Sequence, residues 1–202
     1  QKHHVHLLIS QQREGTLETL GGRFSAEVRS RGAVAEMLKK TDEMLDDPKL
    51  LEPTWNLMEA LRAIDDGSNG KELALRYNKL AGLLEKSGKT AEATEIYQQA
   101  GNLAPQWYLP QFERARLLYI ASLAERRDSA ASFSEVLRKL PESLELRLAT
   151  ADFFLNPAKF PVSGAVKLKA NSAFALEAAL SAVEISARKN PQALTACAQA
   201  LF

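Results

Sequence analysis

The chain has 202 residues, 46% of them hydrophobic and 25% charged, which is enough apolar material for a continuous folded core. Its 26 basic and 25 acidic side chains nearly cancel, so charge gives no reason to expect a nucleic-acid partner. No apolar run reaches the ~18 residues of a spanning helix, so no membrane insertion is expected. The single Cys197 excludes an internal disulfide and a cysteine-rich zinc site.

Segments 5–12 and 16–28 have helical character, weakened by Gly15, Gly21 and Gly22, and the fold of 1–30 stays undefined. Val34, Met37, Leu38, Thr41, Met44 and Leu45 form a helical stripe that Asp46, Asp47 and Pro48 end. A second helix is predicted from Pro53 to Ile64, with Trp55, Met58, Leu61 and Ile64 inward, followed by a turn over 65–70. Leu73, Tyr77, Leu80, Ala81 and Leu84 then share one helical face, and Gly88 closes that helix where a left-handed residue is needed. Ala93, Ile96, Tyr97, Ala100 and Leu103 share the face of the next, which Pro105 stops.

Beyond it a helix is expected to start at Pro110 and to carry Phe112, Ala115, Tyr119 and Leu123. Phe133 and Val136 mark its partner, with Ser129 ahead of them. Helices over 143–155 and 172–189, with Ser143 and Ser172 as N-caps, flank a Pro- and Gly-containing loop at 156–171. Leu144, Leu148, Ala151 and Leu155 are expected to line the first of these; Leu176, Ala179, Leu180 and Val183 the second. The loop 157–170 is expected to be removable without unfolding. A further helix starts within 192–202.

Residues 73–105 resemble the tetratricopeptide repeat, a helix–turn–helix of 34 residues. Tyr77 stands where the repeat favours Trp, Ala81 where it favours Gly, and Leu84 where it favours Tyr; Leu80, Gly88, Ala93, Tyr97, Ala100 and Pro105 follow in register. Degenerate neighbours are visible. Pro141 follows Pro105, and Phe133 follows Tyr97, by 36 residues; removing the 16-residue loop from the 50 residues between Pro141 and Pro191 leaves 34. The resemblance implies an all-α fold, a right-handed superhelical array of antiparallel helix pairs. The whole chain then reads as one helical-repeat domain: a divergent pair over 31–70, repeats over 71–191 with the inserted loop, and the start of another helix over 192–202.

Little in the chain suggests chemistry. His3, His4 and His6 are the only histidines and have no carboxylate near them before Glu14, which fits a chain terminus better than a metal site. Cys197 has no local base and reads as a small buried residue. Asp65 and Asp66 suit a turn rather than a calcium loop. Gly21 and Gly22 lack the strand and spacing of a phosphate loop. Arg126, Arg127 and Asp128 read as a solvated turn. Lys167 and Lys169 alternate with Val166 and Leu168 in the inserted loop, as a plain surface segment or a short strand edge for a partner. No cofactor, metal or catalytic residue is expected.

The resemblance places function on the first helix of each pair, which lines a concave groove for peptides or partner helices. Carried over, the groove residues are Asn78, Gly82 and Glu85 in the clear repeat and Gln111, Arg114 and Leu118 in the next. Asn78 both donates and accepts hydrogen bonds, Gly82 leaves room for a partner's backbone, and Arg114 pairs with a carboxylate. The expected function is a non-catalytic scaffold that binds a peptide or partner protein. The alternative is an accessory or regulatory domain of a membrane-bound or secreted bacterial cell-envelope assembly or export system. The chain opens at Gln1 and stops on apolar Leu201 and Phe202, where a terminal repeat is normally shielded, so a fragment of a larger protein is expected. Compartment, partner identity and oligomeric state stay open.

Overall fold

The computed structural model describes residues 31–201 apart from 66, 126, 128–129 and 161–167. The histidines, the 5–12 and 16–28 segments, Gly15, Gly21, Gly22, Asp66, Arg126, Asp128, Ser129, Val166 and Lys167 therefore lie outside the described residues. Among the described residues the chain is 80% helical without strands. It divides into two compact units at Ala104 and Pro105.

The first unit contains α1 (Arg31–Leu45), α2 (Leu51–Ile64), α3 (Gly70–Lys86) and α4 (Thr90–Leu103). The stripe of α1 is buried as expected from Met37 to Leu45, Thr41 included, and Val34 is half-buried. Asp47 follows and accepts from Lys49 N at 2.9 Å, capping a single 3-10 turn, Pro48–Leu50. Helix α2 begins two residues ahead of Pro53. A proline this early costs little, because the first four helical N–H groups have no intrahelical acceptor. It buries Leu51, Thr54, Leu57, Met58 and Leu61, whereas Trp55, expected inside, is only half-buried.

Helices α3 and α4 follow the predicted register. Leu73, Tyr77, Leu80, Ala81 and Leu84 are buried on α3, and Ala93, Ile96, Tyr97 and Ala100 on α4; Leu103 is half-buried. Ala81, Ala93 and Ala100 have no exposed surface, the mark of small side chains where two helices approach closely. Gly88 turns the chain at φ +80°, a conformation that a Cβ disfavours. Each helix packs on the next, and α1 also touches α3. Arg76 makes that last contact specific: it donates to Leu38 O at 3.2 Å and pairs with Asp42 at 2.7 Å.

The second unit contains α5 (Tyr108–Ala124), α6 (Ala131–Lys139), α7 (Leu144–Leu155), α8 (Ser172–Ile185) and α9 (Pro191–Leu201). Helix α5 starts at Tyr108, two residues before the expected Pro110. Ser143 caps α7 as predicted, accepting from Leu146 N at 3.2 Å. The cap of α8 is Asn171, not Ser172: its Oδ1 accepts from Phe174 N at 3.1 Å, and Ser172 is already helical. Helix α8 ends at Ile185 instead of Lys189, because Ala187 and Arg188 adopt φ of +49° and +62°. The Arg188 N–H closes the turn onto Val183 O at 2.8 Å.

The core of this unit is aromatic. Phe112, Tyr119, Phe133, Phe153 and Phe154 are buried together, with Phe160 and Phe174 against them. The predicted inner face of α7 needs correction. Ala151 is buried, but Leu144, Leu148 and Leu155 are half-buried, while Leu146, Arg147, Thr150, Phe153 and Phe154 are inside. Helix α7 touches α5, α6, α8 and α9, so no single stripe describes its burial. On α8 the inner positions are Ala175, Ala178, Ala179, Ala182 and Val183; Leu176 is half-buried, and Leu180, expected inside, is 49% exposed. Buried Arg147 donates to Ser181 Oγ at 2.6 Å and Leu140 O at 3.0 Å, joining α8 to the end of α6. Desolvation pulls its pKa down.

The inserted segment is not a detached loop. Pro157–Lys159 form a 3-10 turn, and Phe160 lies 5.0 Å from the Phe153 ring and 6.4 Å from that of Phe112. Leu168 packs on the same cluster, and Asn171 N donates to Phe154 O at 2.9 Å. Leu168 and Lys169 form no strand. Deleting 157–170 is therefore expected to destabilise the unit by about 2–5 kcal/mol, through loss of two half-buried apolar side chains. Thermal denaturation followed by circular dichroism checks this; an unchanged midpoint would show that Phe160 and Leu168 contribute nothing.

Candidate functional groove

The six residues expected to bind a partner occupy one helix face in each unit. On α3, Asn78, Gly82 and Glu85 recur at four and then three residues, and all are half-buried. Asn78 Oδ1 is buried and accepts no hydrogen bond, an arrangement that costs about 1–3 kcal/mol for a polar atom. Gly82 is less open to a partner than expected: a Cβ there would stand 3.5 Å from Tyr97 Oη, so the neighbouring helix already uses part of that space.

On α5, Gln111, Arg114 and Leu118 are also half-buried. Gln111 is committed to its own chain, donating from Nε2 to Pro105 O at 2.6 Å. Arg114 Nε is buried without a partner. Asn78 and Arg114 thus hold two of the three orphaned buried side-chain polar atoms among the described residues; Gln99 Oε1 is the third.

The second unit carries an open groove of about 590 Å³ that these six residues do not line. One wall is α7, through Glu145, Leu148, Ala149, Asp152 and Leu155. The other is α9, through Pro191, Gln192, Thr195, Ala196 and Gln199, and Tyr108 at the start of α5 also lines the groove. The α7 wall arises because Leu146, Phe153 and Phe154 turn that helix's largest groups inward, which leaves the Glu145–Asp152 side outward. Seven residues on a helix return almost to the same azimuth, so the two carboxylates flank Leu148 and Ala149.

The two acids differ. Glu145 is exposed and makes no ion pair or hydrogen bond among the described residues. Asp152 Oδ1 accepts from Asn156 Nδ2 and from Lys159 Nζ, both at 2.7 Å. On the facing wall, Thr195 Oγ1 donates to Pro191 O at 2.8 Å, whereas Gln192 and Gln199 are exposed.

A signal for this groove was present in the repeat register. Asn78, Gly82 and Glu85 lie 27, 23 and 20 residues before Pro105. The same offsets before Pro191, corrected for the 16-residue insertion, fall on Leu148, Asp152 and Leu155. The α9 wall had no such signal, because its facing side depends on how α9 docks.

Cys197 is half-buried, and burial pushes its thiol pKa up, away from the thiolate needed for attack. Asp65 serves its turn, accepting from Asn69 Nδ2 at 2.9 Å. Arg127 is exposed and pairs with Glu125. Among the described residues no group of three His, Cys, Asp or Glu is placed to hold a metal, and no helix is long and apolar enough to cross a membrane. No family model, curated protein or solved structure matches this chain.

Proposed function

We propose that the chain is a non-catalytic scaffold of tetratricopeptide type, a right-handed array of helix pairs that binds a segment of another protein. The observation that carries this reading is the open groove between α7 and α9, lined by apolar Leu148, Ala149, Leu155 and Ala196 and by polar Gln192, Thr195 and Gln199, a mixed lining usual for a recognition site. The packing order supports it. Within the first unit α1 touches both its own partner α2 and the next first helix α3, and within the second α5 touches α7, and α7 touches α9. Stacked helix pairs with a continuous face of first helices have this pattern.

A photoreactive side chain at Gln199 is expected to capture a discrete protein in the source cells, and one at Glu184, exposed on α8, is not. With that partner purified, Thr195→Arg should weaken binding tenfold or more by filling the groove. As a surface change it should alter stability by only about 0.5 kcal/mol. Equal affinity of Thr195→Arg and the parent for the captured partner would place the binding surface elsewhere.

A further inference from the structure

The turn between α2 and α3 carries a reactive pair. Of the seven asparagines in the chain only Asn69 precedes a glycine. The nitrogen of a glycine is the backbone nucleophile that most easily reaches the side-chain carbonyl ahead of it, because no Cβ stands beside it. Asn156 and Asn190 precede prolines, which have no N–H to lose. Asn56, Asn78 and Asn102 lie inside helices, and Asn171 is held by its capping bond from Phe174 N. Packing accounts for the glycine: a Cβ at position 70 would stand 3.4 Å from Leu103 O at the end of α4.

We infer that Asn69 is a site of spontaneous deamidation, limited in rate by the opening of the first turn of α3. Gly70 N bonds to Asn69 Cγ, the Cγ–Nδ2 bond breaks, and ammonia leaves with the Gly70 proton. Water then opens the cyclic imide. Attack at the side-chain carbonyl leaves aspartate at position 69. Attack at the main-chain carbonyl leaves isoaspartate, whose backbone runs through Cγ. Either product adds one negative charge, which takes the formal net charge of the chain from +1 to zero. An ionised carboxylate only accepts hydrogen bonds, so the bond that Asn69 Nδ2 donates to Asp65 is lost.

The fold sets the rate. Ring closure needs Gly70 N on the same side as the Asn69 side chain. Asn69 has ψ 14°, which turns that nitrogen towards the backbone nitrogen of Asn69 instead. Rotation about ψ breaks the bond from Leu73 N to Asn69 O at 2.9 Å, at the start of α3. It also draws the side chain off Asp65, whose Oδ1 accepts from Asn69 Nδ2 at 2.9 Å. Helix ends open at small cost. Breaking these two bonds corresponds to a rate about 5- to 140-fold below that of an open segment.

The test incubates the full chain and a terminally blocked peptide of sequence 65–73 in the same mildly alkaline buffer. Peptide mapping by mass spectrometry follows the conversion of the amide to the acid at position 69, and chromatography separates aspartate from isoaspartate. Both products should form at Asn69 ahead of every other asparagine, with the chain about 5- to 140-fold slower than the peptide. Asp65→Ala should speed the reaction in the chain about 2- to 12-fold, the effect of one hydrogen bond, and leave the peptide rate unchanged. Asp65→Asn keeps an acceptor oxygen and should stay nearer the parent.

A chain that converts as fast as the peptide, or that has not begun to convert after about 140 peptide half-lives, overturns the inference. So does Asp65→Ala matching the parent, or another asparagine converting first.

Discussion

Phe133→Ala is expected to cost the second unit about 3–5 kcal/mol, the range for deleting a buried phenylalanine from a core that relaxes only partly. Phe133 has no exposed surface. Its ring lies 5.0 Å from that of Phe154, 5.2 Å from Phe153, 5.9 Å from Phe112 and 6.0 Å from Tyr119. Three of these pairs are edge-on, an arrangement that adds about 0.5–1.5 kcal/mol to area burial. The rings come from α5, α6 and α7, so no single helix can close over the cavity. Chemical denaturation of the variant, read by circular dichroism, measures the loss. A value below about 1 kcal/mol would mean that the cluster repacks around the missing ring.

The same argument applies to Tyr77 in the first unit, with a polar addition. Tyr77→Ala should cost about 3–5 kcal/mol, since the ring is fully buried on α3. Tyr77→Phe should cost only about 0.5–1.5 kcal/mol. It removes the hydrogen bond from Tyr77 Oη to Glu59 Oε1 at 2.8 Å, while Glu59 Oε2 keeps its 2.7 Å pair with Arg62. The two variants separate packing from hydrogen bonding.

Tyr77 also sets an alkaline limit. Burial, and next to it the Glu59 carboxylate, push the phenol pKa well above its ordinary 10.0. A group whose folded pKa is raised binds its proton more tightly in the folded state. Its contribution is therefore complete below the unfolded value and is lost as pH rises from about 10 through the folded value. Denaturation midpoints should fall above pH 10 in the parent and fall less in Tyr77→Phe. Parallel pH profiles for the two would show that the phenol is solvated.

What was legible in the chain was whatever depends on near neighbours. The α3–α4 pair was readable because each helix buries a single face, so a period of 3.6 identifies the inside. Its three alanines and Gly88 state where the backbones approach and turn. The cap at Ser143 was equally local. The caps at 171 and 172 show the limit of such reading: Asn and Ser are both good N-caps, and the choice of Asn171 goes with its N–H bonding Phe154 O, a contact across the insertion.

Tertiary structure alone decided the rest. Helix α7 is apolar on nearly every side, so periodicity could not say that Phe153 and Phe154 face the core while Leu148 and Leu155 line a groove. Phe160 looked like a loop residue because the rings it meets, Phe153 and Phe112, belong to two different helices, and Leu168 joins the same cluster only once those helices have packed. The register marked one wall of that groove through Leu148, Asp152 and Leu155. Which side of α9 faces that wall was settled only when α9 packed against α7 and α8, because a local pattern shows which face a helix buries and the docking of a second helix fixes what the uncovered face meets.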